Sequence, residues 1–184
     1  MVSMLQVYKE YTYSDYLEWG DGNRCELING IVYMMSAPNI WHQRVVGRIY
    51  SKLMNALDGK NCEPFVSPVD VRLFPKKDDS DDVVVQPDVI VVCDESKMSD
   101  DMACRGAPDV VFEVMSDSTA LYDLNVKKAL YEKAGVKEYW IIAKGYAIRW
   151  LLNDGKFVDS RFERGKNGIE LEIVTLQIRF NVIT

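Results

Sequence analysis

The sequence predicts a single α/β domain with an antiparallel extension at its C-terminal end, and three observations carry this. Two Val-rich segments, Val83 to Cys93 and Val110 to Met115, contain runs of successive apolar positions, as strands covered on both faces do. A helical segment separates Val110 to Met115 from the apolar stretch Tyr139 to Ala143, which makes a βαβ crossover of right hand. The last third alternates extended segments with the turn sequences Asn153-Asp154-Gly155 and Asn167-Gly168. With 184 residues, 48% apolar and 27% charged, the chain has the size and composition of one globular domain.

Taken in order, Tyr13 to Trp19 forms a short helix with Ser14 as N-cap, ending at Gly20. Glu26 to Met35 is a hairpin closed by Asn29-Gly30, a pair that tolerates the positive φ of a tight turn. A helix follows from about Ile40 to Leu57, with Asn39 as N-cap. Its apolar positions Val45, Val46, Ile49, Leu53, Ala56 and Leu57 recur at helical spacing, and Arg44, Arg48 and Lys52 form a neighbouring stripe. Phe65 to Phe74 is an extended segment, followed by the two Val-rich strands. The next helix, Leu124 to Ala134, ends at Gly135, the residue type that a C′ position favours. Tyr146 to Leu152, Phe157 to Phe162 and Ile169 to Phe180 complete the meander.

The net charge is −6, with 22 Lys and Arg against 28 Asp and Glu. Residues 78–101 hold nine carboxylates and one cation, which leaves the remainder at +2. The clusters KKDDSDD and DESKMSDD are expected as solvated loops, because like charges repel and prefer water. The total therefore does not exclude a nucleic-acid partner. The single histidine, His42, excludes HExxH and other histidine-rich metal sites. The four cysteines never fall as CxxC and are expected to be free thiols. The longest apolar runs, about five residues, fall far short of the ~18 of a membrane helix. The opening MVSMLQVYKEYTY has no basic region followed by an apolar stretch, so a cytoplasmic location is expected.

Three charges stand where charge is expensive. Asp88 follows Gln86-Pro87 inside a Val-rich run, and Pro87 marks an edge, a bulge or a strand start. A turn aspartate is the alternative. Glu113 lies within a strand apolar on both faces, so it needs a buried ion partner, a ligand or a catalytic task. On a helical wheel started at Val126, Lys127 falls inside the apolar arc of Leu130, Ala134 and Tyr131, with Asp123 also inside it. An Asp123–Lys127 pair is the plain alternative. Two strand carboxylates and a helix lysine suit a Mg²⁺ site that polarises a phosphate and acidifies water.

The stretches CELINGIVYMMSAPNIWHQRVVGRI, VVQPDVIVVCDESKM and GAPDVVFEVMSDSTALYDLNVKKALYEKAGVKEYWII resemble the Uma2 family, also called DUF820, within the PD-(D/E)XK nuclease superfamily. The resemblance implies a restriction-endonuclease-like core, a mixed central sheet flanked by helices. It makes Pro87-Asp88 the PD element and Glu113 the second acidic residue, with the Val114 carbonyl as a further metal ligand. Met115 occupies the lysine's usual place, and Lys127 from the following helix matches the family's alternative. Glu26, His42, Gln43, Ser116 and Ser118 match recurrent positions, while Asn29 and Asp117 depart from the common Asp and Pro.

His42 suits a general base near neutral pH, or equally a capping or hydrogen-bonded structural group. A Ser-His-Asp hydrolase is disfavoured because no G-x-S-x-G elbow exists. The expected function is a Mg²⁺-dependent endonuclease, with Mn²⁺ as substitute metal, acting on DNA. Asp88, Glu113, Lys127, His42 and Glu26 are its candidate site residues. Phosphates would meet the stripe Arg44, Arg48 and Lys52, or the basic meander of Lys144, Arg149, Lys156, Arg161, Arg164 and Lys166. The alternatives are an inactive nucleic-acid-binding or partner-docking module on the same fold and, more remotely, a two-carboxylate glycosidase. A homodimer is a compatible assembly, since cutting two strands takes two sites.

Overall fold

A computed structural model of the chain describes residues 9–19, 24–99, 102–115 and 123–183. Two mixed sheets and a separate hairpin organise it. The larger sheet has six strands in the order β11-β10-β9-β8-β6-β3. These are β3 (Glu63–Val66), β6 (Val89–Val92), β8 (Val110–Val114), β9 (Glu138–Ala143), β10 (Tyr146–Asn153) and β11 (Lys156–Glu163). The second has five, in the order β2-β1-β5-β4-β7: β1 (Cys25–Ile28), β2 (Ile31–Met34), β4 (Val71–Arg72), β5 (Val84–Val85) and β7 (Cys104–Arg105). β12 (Ile169–Ile173) and β13 (Ile178–Val182) pair only with each other. The helices are α1 (Tyr13–Glu18), α2 (Ile40–Leu57) and α3 (Lys128–Ala134), with a 3₁₀ turn at Glu95–Met98.

The central strands β6, β8 and β9 are buried on both faces, which explains their unbroken apolar runs. α2 and the β12–β13 hairpin cover one face: Val45, Ile49 and Leu53 meet Val89, Val91, Phe112 and Trp140, with Ile169 and Leu171 alongside. α3 and the second sheet cover the other, where Leu130, Tyr131, Val71 and Val85 pack on Ile90, Val111, Tyr139 and Ile141. β8 and β9 run parallel with a helix between them, as the βαβ pattern predicts. The hairpin β1–β2 turns at Asn29-Gly30 with φ of 50° and 75°. A Cβ at Gly30 would stand 2.9 Å from Glu10 Cβ, so close approach as well as conformation requires glycine there. α2 has its expected bounds, and the Asn39 side chain accepts from His42 N (2.9 Å).

Several expectations are corrected. Thr12, not Ser14, caps α1, through a capping box with Asp15; Gly20 lies outside the described residues. The extended segments 65–74 and 83–93 each divide between the two sheets, at Ser67-Pro68 and Gln86-Pro87, because proline has no N–H to continue a ladder. The segment 169–180 is a hairpin rather than one strand: buried Glu138 accepts from Val174 N (3.3 Å) and Thr175 N (2.8 Å) and so fixes its turn.

The cysteines are not all free: Cys62 and Cys93 form a disulfide, and only Cys25 and Cys104 remain thiols. The β3–β6 register pairs Glu63 with Val92 and so sets Cys62 opposite Cys93, a juxtaposition with no local sequence signal. Nor is the first acidic cluster wholly solvated. Asp81 is buried, accepting from Arg72 Nε (2.9 Å), and the Arg72 guanidinium lies 4.0 Å from the Tyr13 ring centre.

The second crossover helix also differs in phase. It opens with a π-helical turn, Asp123–Lys127, running directly into α3. A π turn inserts an extra residue and rotates what precedes it. Val126, expected inside the apolar arc, is accordingly 38% exposed, while Lys127 is 3% exposed and Tyr131 fully buried. At the C-terminal end Gly135 has a φ of 88° and its N–H bonds Tyr131 O (3.1 Å) and Glu132 O (3.2 Å).

Candidate active site at the end of the six-stranded sheet

The β6–β8 register pairs Val89 with Phe112, so Asp88, just before β6, stands opposite Glu113. Residues directly opposite in an antiparallel pair project to the same face, and the two carboxylates thus become neighbours. Pro87 is what ends the ladder here. At the next position it stands opposite Val114 and has no N–H to offer. The Val114 N–H, which faces the same side as its own carbonyl, donates instead to Asp88 Oδ2 (2.7 Å).

Lys127 reaches this point from the π turn. Its Nζ donates to Glu113 Oε1 (2.9 Å) and also pairs with Glu26 Oε1 (2.8 Å) on β1. Tyr131, one helical turn further on, donates its hydroxyl to the same Glu113 oxygen (2.8 Å). Burial holds the Tyr131 phenol well above its ordinary range, and the Glu113 charge adds to this. It therefore stays a proton donor at neutral pH. Glu26 Oε1 accepts from Gln86 N (2.9 Å) as well. The Gln86 amide in turn donates to Asp70 (2.8 Å) and to the Tyr16 hydroxyl (3.1 Å).

His42, in the first turn of α2, arrives from the opposite face of the sheet and sets Nε2 3.0 Å from Asp88 Oδ2. Its Nδ1 is buried without a hydrogen-bond partner among the described residues. An imidazole with Nε2–H donating to Asp88 fits both facts. Nε2 is thus engaged with a carboxylate rather than presented to solvent, and the Asn39 cap fixes the backbone beneath it.

The structure therefore gathers Glu26, His42, Asp88, Glu113 and Lys127 into one cluster, from four elements and the segment before β6. Tyr131 and Gln86 join them without having been singled out in the sequence. Tyr131 carried a usable signal, its i,i+4 spacing from Lys127 on one helix face. Gln86 carried none, because its part is played by a backbone N–H. Gln43 is exposed in α2 and Asn29 is a turn residue, whereas Ser116, Asp117 and Ser118 lie outside the described residues. The Asp123 side chain, the i,i+4 alternative for Lys127, also falls outside them; Lys127 pairs with Glu26 and Glu113.

Among the described residues the cluster holds three carboxylates, Glu26, Asp88 and Glu113, against one ammonium, that of Lys127, which pairs with Glu26 and Glu113 while Asp88 meets His42. The donor set is all oxygen: Asp88 Oδ1, which neither contact to Oδ2 uses, Glu113, and the Val114 carbonyl that Pro87 leaves without a cross-strand donor. Oxygen ligands with excess negative charge suit a hard divalent cation such as Mg²⁺ or Mn²⁺. Among the described residues, no group of three or more His, Cys, Asp or Glu is spaced to hold a metal through side chains alone. A carbonyl or water must complete any such site.

Comparison with known proteins bears on the fold and the family. A crystal structure described as a putative nuclease belonging to DUF820, from Anabaena variabilis, superposes with a TM-score of 0.73 at 14% identity, covering 93% of this chain and 94% of that one. It shows the fold. An uncharacterized protein of Synechocystis sp. is 25% identical over 175 residues, 92% of this chain and 88% of its own length. The family model for Uma2, described as putative restriction endonuclease, matches residues 13–182 and so spans both sheets and every residue of the cluster. The chain belongs to the Uma2 family.

Proposed function

We propose that this protein is a metal-dependent endonuclease that hydrolyses DNA phosphodiester bonds at the Asp88–Glu113–Lys127 centre. The observation that carries the proposal is the register of β6 and β8, which sets Asp88 against Glu113, with Lys127 Nζ 2.9 Å from Glu113. Asp88, Glu113 and the Val114 carbonyl would hold Mg²⁺ or Mn²⁺. The cation, when bound, supplies positive charge at a phosphate oxygen and lowers the pKa of water.

The chain's own groups do the rest. His42 holds the Asp88 carboxylate in one orientation through Oδ2 and leaves Oδ1 uncommitted. Tyr131 and Lys127 fix Glu113 through Oε1. The Lys127 ammonium, shared with Glu26, can turn from either carboxylate toward the phosphate and offset the charge that builds in the transition state. Glu26 restrains that ammonium, and burial on β1 and the Gln86 N–H restrain Glu26.

Purified protein should nick supercoiled plasmid with Mg²⁺ or Mn²⁺ and not with EDTA. Asp88→Ala, Glu113→Ala and Lys127→Ala should each abolish nicking, and activity that survives all three would overturn the assignment. One observation favours a second function, a DNA-binding module without turnover: Lys127 is held between two carboxylates, at 2.8 and 2.9 Å, and Met115 occupies the superfamily's usual lysine place. Salt-dependent DNA binding without cleavage under any divalent ion would select it. Among the described residues no helix is long and apolar enough to cross a membrane.

A further inference from the structure

The sheet register sorts the basic residues by their distance from the carboxylate centre. Val114 pairs with Ile142, and Ala143 with Tyr146, while Tyr146 pairs with Glu163. The end of β8, the β9–β10 turn and the end of β11 therefore share one edge of the six-stranded sheet with Asp88. Lys144 sits in that turn, and Arg164 follows β11, its N–H bonded to Gly145 O (3.0 Å). Arg44, in the second turn of α2, lies three residues after Trp41 on the same part of the helix surface.

Five of the other candidate cations lie elsewhere or are engaged. Lys156 pairs with Asn153 at the opposite end of β10, about 24 Å away at ~3.4 Å per residue, and bonds Glu132 (3.0 Å). Lys52 lies ten residues along α2 from His42, about 15 Å at ~1.5 Å per residue. Arg48 donates to Ile183 O (2.6 Å), Arg149 to Glu172 O (2.9 Å), and Arg161 pairs with Glu163 (2.6 Å). Arg44, Lys144 and Arg164 are exposed and have no carboxylate partner among the described residues. Lys144 Nζ stands 5.3 Å from the ring centre of Trp41, so its charge is held against the first turn of α2.

We propose that the DNA backbone crosses this edge beside the carboxylate centre, with Lys144 and Arg164, and Arg44 next to the Trp41 that Lys144 meets, contacting phosphates. The α2 stripe beyond Arg44 and the far end of the β10–β11 hairpin stay clear of it. The inference rests on the nuclease proposal for its choice of ligand, and charge complementarity argues for it. An anionic centre repels a phosphodiester unless cations beside it supply the attraction.

The test is fluorescence anisotropy of the full chain with a labelled DNA duplex in EDTA over a KCl series. Lys144→Ala and Arg164→Ala should each weaken binding and reduce the slope of log K against log salt by about 0.9. Lys52→Ala and Lys156→Ala should change neither. Equal losses from the Lys52 and Lys156 variants would overturn the inference, as would wild-type affinity in the Arg44, Lys144 and Arg164 variants or no salt-dependent binding by the wild type. Plasmid nicking separates it from the nuclease proposal. A wild type that binds in this pattern but never cuts leaves the surface intact and removes the enzyme. A wild type that cuts while the Lys144 and Arg164 variants cut equally well removes the surface alone.

Discussion

Two buried charge clusters in this protein are built to opposite standards. Under the β1–β2 hairpin, Arg72 meets Asp81 with both side chains buried, adds Asp79 at 2.7 Å, and covers its guanidinium face with Tyr13. At the end of the six-stranded sheet, Glu26 and Glu113 pair with the ammonium of Lys127, while Asp88 pairs with His42 and is partly open to solvent at 14%. The first closes a fork on a carboxylate and leaves nothing to bind. Among the described residues the second holds more carboxylates than cations, with Asp88 Oδ1 uncommitted, an arrangement expected where binding is the purpose. Burial alone does not separate them; the balance of charge does.

The largest effect that would break this contrast concerns the closed cluster. Asp81→Ala leaves the buried guanidinium with Asp79 as its remaining carboxylate and should lower unfolding free energy by about 3 kcal/mol in urea titrations, with the nicking rate per folded molecule unchanged. At the open cluster the sign should reverse. Asp88→Asn keeps the shape and removes a repelled charge, so the melting temperature should hold or rise while nicking falls at least ~10²-fold. A large loss of stability there would mean that Asp88 is structural and the two clusters are alike. Asn39→Ala should cost about 1 kcal/mol through the lost cap. It should also reduce nicking more than a cap elsewhere would, because His42 rides on that turn.

The smallest effect concerns Asp70, which touches the open cluster through Gln86. Burial raises its carboxyl above the ordinary 3.8, against the hydrogen bonds from Gln86 and Tyr16 that lower it. The folded state then holds its proton to higher pH than the unfolded chain does. Its contribution to stability is present below about the unfolded value and is lost as pH rises through the folded one. Asp70→Asn should remove that downward slope from urea midpoints measured on the acid side of neutrality, and an unchanged profile would show that Asp70 does not titrate there.

How much was legible follows from which forces act locally. α2 and its Asn39 cap, the Asn29-Gly30 turn and the Gly135 stop were readable because each depends on a few adjacent residues. Asp88, Glu113 and Lys127 could be found as charges in apolar surroundings, an anomaly visible in one strand or one helix. Their family resemblance supplied roles that no pattern alone could. The phase of the second crossover helix was only partly legible: a 3.6-residue wheel placed Lys127 inward correctly and Val126 incorrectly, because nothing local announces a π turn.

Sequence by itself thus determined the α/β class, the apolar strands, the helix bounds fixed by caps and glycines, and the residues whose charge demands a partner. Tertiary structure decided the partners. Gln86-Pro87 splits one Val-rich run between two sheets, and that division brings Glu26 to Lys127. The β3–β6 register makes a disulfide of Cys62 and Cys93, and Arg72 draws Asp81 out of a loop that reads as solvated. The reason is common to all three: propensity and periodicity act over a few residues, whereas strand register and ion pairing join positions that lie far apart in the chain and meet only when the sheets pack.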